Sequence, residues 1–308
     1  MIHSQLMSIP TFTGHSPERW HQIVDIMLEK KPGDRRIHRL RIIAVQESDF
    51  NQVNRLALGR PIQHKLEDSG ILPDIQHGSR SSKQCHSAVL NKVLTFEIHR
   101  YTKQPIAYIE NDAVGCFDRI ANPLVLIFLM AIGVSPQTLQ SLAKTWEKSV
   151  YKIRSMYGIS NTRYANDYSR LLFGPGQGST IGPFLWLICF LLISLSLTST
   201  APRITISSTN NAVETTSVGE AFVDDTGLGT NMTSPNYQVH PNNCITDKED
   251  YLPWVSNLQR LAQEWERLLF STGGALNLDK CFWFLLACNG IRAKLNCILR
   301  KHQNMIFA

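Results

Sequence analysis

Paired cysteines are missing from this chain. Its seven cysteines fall at 85, 116, 189, 244, 281, 288 and 297 with no CxxC among them. That odd set excludes a disulfide framework and a zinc ribbon, and it fits reduced thiols in an intracellular setting, cytoplasmic or nuclear. Cys281, Cys288, Cys297 and His302 are spaced too widely and irregularly for a metal site, and the cysteines read as ordinary buried thiols. Charge is also scarce, at 18% of residues against 43% hydrophobic, which leaves no room for a long disordered region. No basic start leads into an apolar stretch, so no secretory signal is expected, and no internal repeat is visible. The longest apolar run, "IGPFLWLICFLLISLSL" at 181–197, falls short of the roughly 20 residues a membrane span needs. It also contains Pro183 and has no close basic flank, so a buried core helix and no membrane partner are expected.

What is present is enough chain for one large domain or two ordinary ones, 308 residues with a net charge of +6 that permits a polyanionic partner without requiring one. Seven basic side chains crowd residues 29–41, "EKKPGDRRIHRLR", a solvated face or a grip for phosphates. Leu90, Val93, Leu94 and Ile98 recur at helical spacing, followed by a strand "PIAYIEND" that ends at Asp112. A second helix pattern stops at Gly133. A third starts with Ser135 as N-cap and Pro136 in its first turn, with Leu139, Leu142, Trp146 and Val150 along one face. Strand-like pieces at 150–157 and 169–173 flank a polar loop, and 231–250 reads as a loop rich in Asn, Pro and Thr. Trp254, Leu258, Leu261, Trp265 and Leu268 trace an amphipathic helix up to Gly273 and Gly274, before a last strand "KCFWFLLA".

The sequence "GEAFVDDTGLG" at 219–229 places Asp224 and Asp225 at the tip of an expected hairpin. A turn explains such a tip without chemistry. A strand ending at Asp112 and this hairpin, joined in one antiparallel sheet backed by helices, would instead bring carboxylates from two segments together. Phosphoryl transfer through two ions about 4 Å apart needs that convergence.

Taken in order, the motifs resemble the reverse transcriptase family, in particular enzymes of non-LTR retroelements. "NDAVGCFDRI" is similar to the first palm motif, "GPGQGSTIGPFLW" to the second, "FVDD" to the aromatic-x-Asp-Asp third and "GGALNLDKC" to the fourth, while "HGSRSSKQCHSAVL" resembles the fingers segment ahead of them. The resemblance covers residues 35–287. It implies an α+β right-hand polymerase with a palm sheet and a fingers subdomain. It also implies RNA-directed DNA synthesis on an RNA template and DNA primer from dNTPs, with two Mg²⁺ ions or Mn²⁺ in their place.

On that resemblance, Asp112 and Asp224 hold the ions with the carbonyl of Ala113, and Asp225 stands beside them or serves only the turn. Phe117 excludes a ribose 2′-hydroxyl or simply packs in a core. Gln177 and Gly178 let backbone approach the nucleotide and template base. Arg41, with Arg39 as its competitor, takes the triphosphate. Lys280 is either the proton donor to leaving pyrophosphate or a structural, exposed lysine. The implied segments are an N-terminal extension at 1–34, fingers at 35–104 and 150–176, palm at 105–149 and 177–290, and at 291–308 a tail or the start of a thumb. "SRSS" is more polar than the usual fingers turn, and the fingers lysine has no aligned counterpart. With little chain after the fourth motif, the resemblance implies a piece of a larger retroelement protein. The rival readings are an RNA-dependent RNA polymerase and a non-catalytic remnant that binds nucleic acid.

Overall fold

The computed structural model describes residues 2–165, 174–208, 212–231, 252–287 and 290–296. The chain runs α1 (Ile2–Thr13), β1 (Gln22–Glu29), β2 (Leu40–Val45), α2 (Ser48–Val53), α3 (Arg60–Asp68), α4 (Cys85–Thr102) and β3 (Ile106–Asn111). It continues through α5 (Asn122–Ala131), α6 (Pro136–Glu147), β4 (Val150–Ser155), β5 (Gly158–Ile159), β6 (Tyr164–Ala165) and α7 (Gly182–Thr200). The remaining elements are β7 (Ile204–Ser207), β8 (Glu214–Ser217), β9 (Gly219–Phe222), β10 (Asp225–Thr230), α8 (Leu252–Ser271), β11 (Phe282–Ala287) and β12 (Gly290–Asn296). The strand-like piece at 169–173, the loop at 232–250, and Cys244, Cys288, Cys297 and His302 lie outside the described residues. Contacts divide the chain into two compact units, residues 1–69 with 115–189 and residues 70–114 with 190–308.

In the first unit β1, rich in β-branched Ile and Val that suit a pleated surface, pairs antiparallel with β2 and parallel with β4. Both β5 and β6 then pair with β4. The N-cap expected for α6 forms: Thr138 N–H donates to Ser135 Oγ at 3.2 Å, and Leu139, Leu142 and Trp146 are buried. Trp20 and Phe50 close another part of this core, their ring centres 5.2 Å apart.

The second unit is built on an antiparallel sheet in the order β12-β11-β3-β10-β9. Residues Ile106 to Ile109 of its central strand are almost wholly buried, as a strand covered on both faces should be. Helix α4 lays Phe96 edge-on against Tyr108 and Phe284, at 5.1 and 5.5 Å, while α8 packs on β3 and β10. Trp254, Leu258, Leu261 and Trp265 are buried as their spacing requires, but the next buried position is Leu269 rather than Leu268, four residues after Trp265 instead of three. The apolar stripe of α4 departs further: Leu90, Val93 and Leu94 are exposed, because the helix turns Phe96 to the sheet.

The unit boundaries differ from the segments that motif order implied. Strand β1 is paired within the first sheet although it falls before residue 35. Residues 115–149 group with the first unit, where α6 packs on α1, and residues 70–104 with the second, where α4 covers β9 and β11. The apolar helix α7 is 67% buried over its most apolar window, as a core helix should be.

Candidate active site

Strand β3 delivers the first carboxylate. Thr226 of β10 pairs with Asn111 and Thr230 with Ala107, so continuing the register by one residue sets Asp112 across from Asp225. The β9–β10 hairpin closes with Phe222 opposite Asp225, leaving Val223 and Asp224 as its two turn residues. Asp224 is therefore one residue beyond the position facing Asp112, at the same end of the sheet.

The segment that resembles the fourth motif holds Asp112 from the other side. Asn277 N–H donates to the Asp112 carbonyl at 2.8 Å, and Asn277 Nδ2 donates to Asp112 Oδ2 at 2.9 Å. Val114 N–H donates to the Ala275 carbonyl at 2.8 Å, flanking a bridge between Ala113 and Leu276. Groups alternate sides along an extended chain, so the Ala113 carbonyl faces the β10 side, where the resemblance wants an oxygen ligand. Lys280 Nζ meets Asp112 Oδ2 at 2.8 Å. That bond raises the lysine's pKa, which makes its ammonium a weaker acid while the pair persists. Asn277 is the functional candidate that sequence reasoning passed over, although the quoted "GGALNLDKC" contains it.

Burial, and then the like charges of Asp225 and Asp112, push the Asp224 carboxyl above its ordinary range. The donors assembled here are oxygens, which hard cations such as Mg²⁺ prefer. Their chemistry fits; their spacing is looser. Among the described residues no three His, Cys, Asp or Glu groups are gathered closely enough to hold a metal ion, and on Asp112 it is the Lys280 ammonium that balances the charge.

The other candidates belong to the first unit. Phe117 is half-buried and begins a short 3-10 turn, Phe117–Arg119. Its ring lies within 4 Å of where a side chain on Gly182 would begin. Gln177 is tied down: its backbone N–H and its Nε2 donate to the two carboxylate oxygens of Asp118, at 3.1 and 3.2 Å. Ala44 N–H donates to the Gln177 carbonyl at 2.6 Å. A Cβ on Gly178, whose φ is +114°, would meet the Ala44 carbonyl at 2.6 Å. The close approach that requires this glycine is thus to strand β2. Asp118, whose carboxyl burial pushes up, was visible in "NDAVGCFDRI" but carried no signal of its partner. Arg39 and Arg41 are both exposed; Arg39 stands 3.9 Å from Asp34, which also pairs with Arg36.

No protein-family model matches this chain. The group II intron-encoded protein LtrA of Lactococcus lactis subsp. cremoris is 27% identical over 115 residues, 37% of this chain and 16% of that protein. Telomerase from Candida tropicalis, solved with a fragment of telomeric RNA, superposes with a TM-score of 0.52 at 12% identity, covering 99% of this chain and 46% of its own. The Candida albicans telomerase complex gives 0.51 at 12% identity, covering 92% and 44%. The chain adopts the right-hand polymerase fold of these telomerase structures, a mixed α+β arrangement with a sheet backed by helices. The chain spans less than half the length of these two telomerase chains and about a sixth of LtrA.

Proposed function

We propose that this chain is an RNA-directed DNA polymerase domain of a retroelement protein. In this reading a primer 3′-hydroxyl attacks the α-phosphorus of a dNTP, a new phosphodiester bond forms and the bond to pyrophosphate breaks. The observation that carries it is the pairing of β3 with β10, which brings Asp112 to the end of the sheet where Asp224 and Asp225 stand. An Asp224 carboxyl whose proton affinity is raised by burial and then by the charges of Asp225 and Asp112 suits a site built to receive a cation. Asp112, Asp224 and the Ala113 carbonyl would hold Mg²⁺, or Mn²⁺, with Asp225 beside them. Bound there, the ions would offset the charge on the phosphate oxygens.

The remaining roles belong to the same proposal. Arg39 and Arg41 grip the triphosphate, Phe117 excludes the 2′-hydroxyl, and Gln177 with Gly178 shape the nucleotide's surroundings through Asp118 and Ala44. Lys280, once released from Asp112, is free to protonate pyrophosphate. The partners would be an RNA template, a DNA primer and the other domains of a larger protein inside the cell.

Extension of a DNA primer on an RNA template, with Mg²⁺ and either dNTPs or rNTPs, tests the reading. Deoxynucleotide incorporation is expected, and Phe117→Val should raise rNTP use by about tenfold or more. If Phe117 is only core packing, the variant instead loses roughly 2 to 4 kcal/mol of stability with selectivity unchanged. Extension by rNTPs alone would identify an RNA polymerase. Binding of template and primer without any extension would favour the non-catalytic reading, which the Lys280–Asp112 pair also suits.

A further inference from the structure

The Asp224 turn contains a conformation its own residues resist. Val223, the residue just before Asp224, has φ +59°, a left-handed backbone that two-residue hairpins normally assign to Gly or Asn. A β-branched side chain disfavours it and keeps it only where surrounding groups over-determine it.

Those groups come from a segment that the polymerase reading leaves unused. Residues 75–78 run alongside β9: Ala221 N–H donates to the Ile75 carbonyl at 2.7 Å, and His77 N–H donates to the Ala221 carbonyl at 2.8 Å. Between them Gln76 is fully buried, at 0% exposure. Its Oε1 accepts the N–H of Val223 at 2.9 Å and that of Gly78 at 2.8 Å. Its Nε2 donates to the Val223 carbonyl at 3.0 Å. One primary amide thus satisfies both backbone groups of the strained residue. Gly78 completes the fit, since a Cβ there would come within 2.3 Å of Val223 N.

We infer that Gln76 is a positioning residue whose amide holds Val223 in the left-handed turn and so fixes where the Asp224 carboxylate stands. A primary amide of this length offers an acceptor and a donor at its tip at every pH, in the geometry the two Val223 groups need. Only the kinetic consequence of this inference rests on the polymerase reading.

The test uses the full chain and two readouts. In Gln76→Met, which keeps side-chain volume but neither hydrogen bond, exchange of the Val223 amide hydrogen should accelerate at least about tenfold. Mg²⁺-dependent primer extension should fall about a hundredfold in kcat, with the KM for dNTP changed far less. Adding Val223→Gly to that variant removes the penalty on the left-handed turn and should restore most of the lost kcat. A general packing defect would not be rescued in this way. If Gln76→Met fails to fold, Gln76→Asn keeps the amide but draws it back by one methylene from both Val223 groups, and the same glycine should rescue its loss. Unchanged Val223 exchange, or a double variant no more active than its parent, overturns the inference. A wild-type chain that extends no primer would sink the polymerase reading, while Val223 exchange would still decide the clamp.

Discussion

The candidate residues of the two units are held in opposite ways. In the second unit Asp112 is fixed by two bonds from Asn277 and one from Lys280, and the residue before Asp224 is fixed by both polar atoms of one buried amide. In the first unit Arg39 and Arg41 stand exposed beside and on β2, and among the described residues their one side-chain ion pair is a long contact from Arg39 to Asp34. Carboxylates that must act at fixed positions gain from being held before any ligand arrives, since misplacement costs rate steeply. Arginines that meet a mobile polyphosphate can be ordered by the anion itself. On the proposed function, the difference would separate a preorganised centre from a surface ordered by its ligand.

The largest expected effect lies on the held side. Asp224→Asn should reduce Mg²⁺-dependent extension by roughly 10³-fold or more with little change in the thermal midpoint; a polymerase as active as the parent would remove Asp224 from the centre. A smaller effect is expected on the exposed side. Replacing Arg39 or Arg41 by alanine should raise the KM for dNTP about tenfold each, the weight of a lost charge-assisted hydrogen bond, and leave kcat and stability nearly alone. Equal losses in kcat would mean that these arginines too are part of the fixed centre.

The smallest effect concerns stability next to the Gln76 segment. Burial pushes the Glu220 carboxyl up from 4.5 to about 7 and lowers the imidazole of His77, so their 2.7 Å contact is a hydrogen bond between groups that burial keeps neutral. Because folded Glu220 holds its proton more tightly than the unfolded chain does, its stabilising contribution is complete below about pH 4.5 and is lost as pH rises through 7. Stability of the parent minus that of Glu220→Gln should fall across this window by up to about 3 kcal/mol. A flat difference curve, read from urea unfolding at several pH values, would show that Glu220 ionises freely. His77 contributes a slope of opposite sign and is bonded to Glu220, so the same difference is measured with His77→Gln in both chains.

What the sequence disclosed was whatever repeats or sits at an element's end. Alternating and helical apolar spacing located β3, the Asp224 hairpin, α6 with its Ser135 cap, and α8 to within one position at Leu269. Those same patterns brought Asp112 and Asp224 to one sheet before any coordinates were known. Single polar contacts between distant segments leave no such trace. Gln76, Asn277 and Asp118 are ordinary polar residues beside recognisable motifs, and each acquires its role only when a segment dozens of positions away arrives to be bonded. The exposed stripe on α4 shows the opposite failure, since regular spacing marks a helix but does not say which face meets a sheet.

Residues 75–78 also bear on how the chain survives in a crowded solution. A sheet that ends in an open strand displays unpaired N–H and C=O groups and invites pairing by foreign strands. Strand β9 is the last strand on its side of the sheet, yet at Ala221 its outward groups are already taken by Ile75 and His77. An intruding strand would have to strip this segment away before it could pair there, and stripping it would also free the turn before Asp224. Protection from aggregation and protection of the turn's geometry are therefore lost together, so a variant weakened at this edge should clump as readily as it fails to work.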